Sequence, residues 1–402
     1  MVYLNALLLL SLTTLTSSVL AAARQPYQRY RNSSIESTIS SKAKSSKSKA
    51  KVETYTFVAN THRNLAVYYG KTSESLGAGQ NLTSQCADPN IDIVILGFLL
   101  DILGPGDLPT MGINNTSGEM CELPNASMLA AGGTGLRRCA SLQSQILTCQ
   151  GLGKKVFISV GGAKGTQTFT SQAQAEQAAT VLWDLFGSGT GQNLSLRPFG
   201  ESVTVDGFDI DNETGDGTYY VEFAAKLRTL TKSQSAKQYY LSAAPACYYP
   251  NAGAPVEMLT QMDFVWPQFY AAPSCNLGTA NFPTSFSAWS ERLDTGNRPR
   301  LYIGGVAWVN GTGNGGYVAP QELNRTILSS VDSVGRDRFG GMMLWDGAFG
   351  HVTMDEETGL DIIGVAKASL LISGVTTTVK RAEGPAVLLP VVAAAVGFGL
   401  LS

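Results

Sequence analysis

The chain has 402 residues, with 29 Lys plus Arg against 31 Asp plus Glu and a formal charge of −2. That length allows one large domain with extensions, and the near-neutral balance gives no basic footprint for a nucleic acid. With only two histidines, His62 and His351, and no Cys-x-x-Cys pair, the composition argues against a zinc site and against a Ser-His-Asp hydrolase.

In chain order, Leu4 to Leu15 is mostly apolar, and Ala21-Ala22-Ala23 supplies small residues for cleavage, so residues 1–23 read as an export signal. The run is short and broken by Ser11, Thr13, Thr14 and Thr16, which argues against a membrane span. Residues 24–63 read as a linker. Arg31 to Lys51 is dominated by Ser and Lys and cannot bury apolar surface. Its basic character suits weak contact with an anionic wall or membrane surface.

From Asn64 to Ile372 the composition is globular. Apolar runs at Leu65–Tyr69, Ile91–Phe98, Lys155–Val160, Val205–Asp211, Tyr239–Ala243, Phe264–Phe269, Leu301–Val306 and Met342–Trp345 predict strands covered on both faces. Helical patterns lie between several of them, at Leu136–Cys149, Ser171–Phe186, Tyr219–Lys232, Ser285–Leu293 and Pro320–Val334. Alternation of this kind predicts an α/β fold, a (β/α)8 TIM barrel forming a single catalytic domain over residues 64–372. The Gly- and Asn-rich tract Asn310–Gly316 reads as a surface connection.

Cys86, Cys121, Cys139, Cys149, Cys247 and Cys275 are even in number and fit disulfides of an exported protein, with the pairing left open. Sequons occur at Asn32, Asn81, Asn114, Asn115, Asn125, Asn193, Asn310 and Asn324. Another, at Asn212, is expected to stay unmodified because it falls inside a predicted barrel strand. Residues 373–402 pair small residues, Ser373 and Gly374, with a polar spacer and an apolar tail from Val387 to Leu401. That order is the pattern of a glycosylphosphatidylinositol (GPI) attachment signal. A spanning tail is the alternative, but it would be short and would lack a basic cytoplasmic end.

The most informative stretch is Asp206-Gly207-Phe208-Asp209-Ile210-Asp211-Asn212-Glu213. Strand alternation puts Asp209, Asp211 and Glu213 on one face, with neighbours about 6–7 Å apart. Carboxyls that close raise each other's pKa, so one member tends to hold a proton, as glycosidic cleavage requires. A calcium loop does not fit. The sixth position would have to be Gly, and it is Asp211 counted from Asp206 or Thr214 counted from Asp209. Glu213 falls at the end of the fourth predicted strand, where barrel enzymes place their chemistry.

Phe157-Ile158-Ser159-Val160-Gly161-Gly162 resembles the Ser-x-Gly-Gly signature of glycoside hydrolase family 18, and Asp206 to Glu213 resembles that family's catalytic signature. Asn64 to Gly70 resembles the first strand of fungal and plant class III chitinases. The resemblance implies Glu213 as proton donor and the substrate's own acetamido oxygen as nucleophile, with retained configuration. It implies Asp211 as the partner of the acetamido N–H, and Asp209 as an acid sharing a proton with Asp211. Trp266-Pro267-Gln268-Phe269-Tyr270 resembles the family's sixth strand, which makes Tyr270 a donor to the acetamido carbonyl and puts Gln268 on the same face. Met342 to Trp345 resembles the last strand, whose Trp floors the sugar site. Trp345, Gln268 and Tyr68 are therefore the expected substrate contacts. Ser159, Gly161 and Gly162 read as architectural, and Asp206 as a structural residue at the strand entry. Two positions depart from the family pattern: Asn212, expected to turn outward and need a partner, and Asp346, expected to alter sugar binding.

The resemblance implies no metal or cofactor. It implies chitin or chito-oligosaccharides and wall polysaccharide as partners, and a secreted monomer held at the cell surface through a GPI lipid. An endo-acting chitinase is the leading reading. A chitin-binding lectin, a hydrolase of the N-acetylglucosamine core of N-glycans, and a wall-anchored structural protein compete with it. Retention of both Asp211 and Glu213 favours an enzyme.

Overall fold

The computed structural model describes residues 55–70, 81–115, 118–119, 121–233, 236–294 and 298–373. The expected export signal, the Ser/Lys-rich tract and nearly all of the expected lipid-attachment signal lie outside these residues. Among the described residues no helix is long and apolar enough to cross a membrane.

Eight strands form the centre: β1 Asn64–Tyr69, β2 Ile93–Asp101, β3 Lys155–Gly161, β4 Gly207–Asp211, β5 Tyr240–Ala243, β6 Phe264–Val265, β7 Arg300–Val306 and β8 Phe339–Trp345. Each pairs in parallel with the next, and β1 pairs with both β2 and β8, which closes the barrel. The helix that follows each strand packs outside: α1 Leu82–Ala87, α2 Ala140–Gly151, α3 Gln172–Phe186, α4 Tyr220–Lys232, α5 Val256–Leu259, α6 Phe282–Arg292, α7 Pro320–Val334 and α8 Ile362–Ile372.

Because parallel strands are covered on both faces, their residues divide into two apolar layers. Leu65, Val67, Val94, Leu96, Phe208 and Ile210 face the helices, where α3 contributes Ala175, Ala178, Leu182 and Phe186. Ala66, Tyr68, Ile93, Ile95, Phe157, Phe264, Trp266, Tyr302 and Met343 fill the barrel interior. Ser171 starts α3 by accepting a hydrogen bond from Gln174 N, the capping role short hydroxyl residues suit.

Several elements differ from the sequence expectation. The predicted sixth strand, Phe264–Phe269, keeps a regular ladder only over Phe264–Val265, because Pro267 has no N–H to give. Gln268 re-enters by isolated bridges to Ala246 and Gly304. The helix predicted from Leu136 begins at Ala140, and the preceding segment is tied by the Cys121–Cys139 disulfide and a bridge between Glu122 and Arg138. The cysteines pair as Cys86–Cys149, Cys121–Cys139 and Cys247–Cys275.

The described fold starts at Tyr55, ahead of the expected Asn64. The Tyr55 hydroxyl donates to Asp92 Oδ1 at 2.5 Å, and Phe57 packs against the rings of Tyr240 and Phe264. Tyr55 and Phe57 therefore pack at the N-terminal mouth of the barrel, ahead of the expected start of the domain.

Candidate active site

The site is built on β4. Gly207 faces the interior, where a Cβ would stand 2.5 Å from the Phe157 ring; its absence lets that ring fill the barrel beneath the acids. Two residues on, Asp209 is fully buried. Its neighbours in register are Ser159 on β3 and Ser242 on β5. Ser159 Oγ donates to Asp209 Oδ2 at 2.6 Å, Tyr68 Oη to the same oxygen at 2.6 Å, and Ser242 Oγ to Oδ1 at 2.7 Å. Burial pushes the Asp209 carboxyl up, and these hydroxyls pull it back by favouring the anion.

Asp211 ends the strand, also buried. Its Oδ1 accepts from Gln268 Nε2 at 2.7 Å, and it shares a hydrogen bond with Glu213. Burial holds the Asp211 carboxyl well above the usual range, reinforced by the charges of Glu213 and Asp209. Glu213 stands past the strand end and is open to solvent. The walls around it still desolvate the carboxyl enough to raise it, against the pull of Gln268 and Asp211. Of the two, Asp211 is the more deeply buried, and Glu213 faces the open side.

The close approach of β3 to this strand end depends on Gly161 and Gly162. At Gly161, φ is +110° and a Cβ would lie 2.0 Å from Asp211 O. At Gly162, φ is +72° and the backbone N–H donates to Asp211 O at 2.8 Å. Tyr270 is buried in the interior cluster, and burial followed by the nearby carboxylates raises its phenol well above the ordinary value. Trp345 meets Tyr68 edge-on at 5.5 Å and stacks on Phe98 at 5.9 Å. Half-buried, it offers the remaining ring surface to the cleft.

The structure brings Asp209, Asp211, Glu213, Gln268, Tyr270, Tyr68 and Trp345 to one end of the barrel, and it corrects two expectations, those for Tyr68 and Asp346. Tyr68 is 2% exposed with its hydroxyl on Asp209, so it supports that carboxylate and does not contact a sugar. Both Asp209 oxygens accept from hydroxyls, and Asp211 has Glu213 and Gln268 as its own partners. Gln268 also orders the acids, its amide N–H2 donating to Asp211, to Ala244 O at 3.1 Å and to Glu213 at 3.3 Å. Asp346 is 1% exposed and caps the helix Gly347–Val352 through Phe349 N, so it stays out of the sugar site.

Asp206 accepts from Val156 N and Gln150 Nε2, each at 2.9 Å, and pairs with Lys237 at 3.2 Å, a structural role at the strand entry. Asn212 donates to Asp216 O at 2.7 Å and Gly253 O at 2.8 Å, which uses both amide hydrogens and leaves none for a glycan. Sequence reasoning missed Ser242 and took Ser159 as merely small. A hydroxyl residue inside an otherwise apolar strand, one position either side of the acidic strand, was the available signal. Phe98, behind Trp345, was hidden in a uniformly apolar run.

A second polar cluster joins His351 Nδ1 to Asp361 Oδ2 at 3.0 Å and to Asp88 Oδ2 at 3.8 Å. Asp361 already caps α8 through Gly364 N, and Asp88 accepts from Asn90 N, so both carboxylates have backbone work.

A buried acid whose pKa is raised, beside an accessible one at the C-terminal end of a closed parallel barrel, is the arrangement a glycoside hydrolase uses. The sequence model of glycosyl hydrolases family 18 matches residues 64–304, and the chain belongs to that family. It is 38% identical over 290 residues to Endochitinase 3 of Metarhizium robertsii, covering 71% of this chain and 87% of that one. It is 34% identical over 324 residues to an endochitinase of Saccharomyces cerevisiae, covering 80% of this chain and 53% of the relative. Among solved structures, a chitinase of Ipomoea carnea superposes with a TM-score of 0.60 at 28% identity, over 76% of this chain and 99% of that one. A xylanase and α-amylase inhibitor protein of Scadoxus multiflorus superposes with a TM-score of 0.58 at 26% identity, over 78% and 99%.

Proposed function

We propose that the protein is an endo-acting chitinase, cleaving β-1,4-linked N-acetylglucosamine polymers with retention through the substrate's acetamido group. The observation that carries this reading is the pair of carboxyls bridged by Gln268 Nε2, with Asp211 buried and Glu213 on the accessible side. The names of the relatives support the substrate class.

As the sugar binds and its acetamido N–H turns to Asp211, the proton held by the Asp211–Glu213 pair passes to Glu213, which gives it to the glycosidic oxygen as the bond to C1 breaks. The acetamido carbonyl oxygen attacks C1 and forms an oxazolinium ion, an exception to the two-carboxylate scheme. Asp211 accepts from the acetamido N–H and balances the positive charge. Tyr270 donates to the acetamido carbonyl oxygen and orients it. Glu213, now a carboxylate, takes a proton from the water that attacks C1, which restores both the acid and the anomeric configuration. Asp209 lies behind the pair under its three hydroxyls, and its charge helps raise the Asp211 carboxyl.

The test is turnover of chito-oligosaccharides by the purified protein beside Glu213→Gln. Loss of nearly all turnover in the variant, with retention at the anomeric carbon in the wild type, is the expected result. Equal rates would sink the mechanism. Chitin binding without turnover in either protein would favour the lectin reading, and turnover only on N-glycans would move the substrate. The apolar tail and small-residue site of residues 373–402 support surface attachment through a GPI lipid after export. Release from membranes by a phosphatidylinositol-specific phospholipase tests this, and persistent retention would favour a spanning tail.

A further inference from the structure

The connection between β7 and α7 does more than cross the surface. Asn310–Gly316 docks on the backbone that leaves β6, directly against Tyr270. Ala271 N–H donates to Gly315 O at 3.0 Å, and Thr312 Oγ1 donates to the same carbonyl at 2.7 Å. Asn276, 4% exposed, bridges the two segments: its Oδ1 accepts from Ala272 N at 2.9 Å and its Nδ2 donates to Asn314 O at 2.8 Å. Gly316 has φ +104°, and a Cβ there would stand 2.5 Å from Tyr270 Cα and 2.6 Å from Tyr270 Cβ. Tyr317 then packs into the same interior cluster as Tyr270.

Tyr270 needs such support because the sheet does not supply it. The regular ladder of β6 stops at Val265, and the last bridge is at Gln268. Ala271 sits at φ 60°, a left-handed conformation that residues with a Cβ avoid unless their surroundings impose it. The partners that impose it are Gly315 and, through Ala272, Asn276.

We propose that this loop is a clamp that positions Tyr270 for catalysis, with Gly316 and Asn276 as positioning residues acting through it. The proposal rests on Tyr270 serving the acetamido group as described above. A side chain at position 316 must push the Tyr270 backbone. Asn276→Asp keeps the acceptor for Ala272 N and turns the donor towards Asn314 O into a repelling oxygen. Neither residue is placed to touch the sugar, so both act on the rate of the chemical step and little on binding.

The experiment is a double-substitution cycle with the full-length protein on a chito-oligosaccharide, measuring kcat and KM separately. Gly316→Ala is expected to lower kcat by about 10- to 100-fold, the scale of a misplaced orienting group, with KM within about 3-fold. In a Tyr270→Phe background the same substitution is expected to cost less than about 3-fold, because the hydroxyl it misplaces is already gone. Asn276→Asp runs through the same cycle and carries the test if Gly316→Ala does not accumulate folded. Equal losses with and without the Tyr270 hydroxyl would overturn the clamp, as would an unchanged kcat in both variants. Wild-type inactivity on chito-oligosaccharides would instead overturn the chitinase reading and the clamp with it.

Discussion

The two mouths of the barrel hold buried carboxylates in opposite ways. At the N-terminal mouth Asp92, 2% exposed, accepts from Lys367 Nζ at 2.6 Å, Leu65 N at 2.6 Å and Tyr55 Oη at 2.5 Å. Asp206, at the entry to β4, pairs with Lys237. At the C-terminal mouth no cation pairs with Asp209, Asp211 or Glu213 among the described residues; hydroxyls, an amide and one another hold them. A cation fixes a carboxylate as an anion and ties elements together. Neutral donors and like-charged neighbours leave one proton undecided between two acids, which is the property a general acid needs. One residue type thus serves architecture at one end and, on the function proposed above, chemistry at the other, and the counter-ion separates the two.

Removing an acid from each end tests the contrast. Glu213→Gln is expected to lower kcat by at least about 10²–10⁴-fold, the range of general acid catalysis, with little change in thermal stability. A strong loss of stability in that variant would mean that Glu213 is structural. Asp92→Asn should do the reverse. It leaves the Lys367 ammonium facing a neutral amide, and breaking a nearly buried pair costs about 3–5 kcal/mol. Denaturant unfolding should show that loss, while the specific activity of the folded fraction stays within about 2-fold of wild type, since Asp92 lies at the opposite mouth from the three acids. A large loss of kcat would break the division between the two mouths.

Asp211→Asn sharpens the comparison through pH. The folded-state pKa of Asp211 is raised, so the folded protein binds the proton more tightly than the unfolded chain. The stability this contributes is fully present below the unfolded pKa and is lost as pH rises through the folded one. An Asn has no proton to lose, so the variant should match wild type in acid and exceed it above neutrality. A gap in Tm of about 2–4 °C is the response to ~1 kcal/mol in a domain of this kind. Wild-type kcat/KM should fall on the alkaline side as the Asp211–Glu213 pair loses its proton. A variant less stable than wild type at high pH would show that the Asp211 anion is held favourably, as Asp92 is.

The acidic row was legible because strand alternation is rigid. Once Asp209, Asp211 and Glu213 fall two apart in an apolar run, they share a face whatever surrounds them. The barrel was legible for a related reason, since strands covered on both faces read as short uniform apolar runs. What escaped depended on contacts between segments distant in sequence. The helix α8 follows a nearly continuous apolar stretch, so its period was masked by burial on several sides. The helix α1 is one and a half turns long, too short to show a period. Tyr55 and Phe57 sit beside a Ser/Lys-rich tract, and only the barrel mouth gives them a place. The three hydroxyls that meet at Asp209 come from β1, β3 and β5, distant in sequence, and no strand shows their convergence by itself.

Ser242 gives the smallest expected effect and the finest test. Ser242→Ala removes one of three hydroxyl donors to Asp209 and leaves Oδ1 without its partner, while Tyr68 and Ser159 keep Oδ2. The stability cost should be about 1 kcal/mol, that of one buried hydrogen bond. The chemical consequence follows from the pKa contest at Asp209. With one donor gone, burial weighs more and the carboxyl moves further up. Asp209 then competes with Asp211 for the proton, and less of it reaches the Asp211–Glu213 pair. kcat should fall about 3- to 10-fold, the equivalent of roughly 1 kcal/mol in the barrier, and Ser242→Thr should restore most of it by returning a hydroxyl. If Ser242→Ala lowers stability but leaves kcat and its pH profile unmoved, Asp209 belongs with Asp92 as a structural anion, and the chemistry of the upper mouth contracts to Asp211 and Glu213.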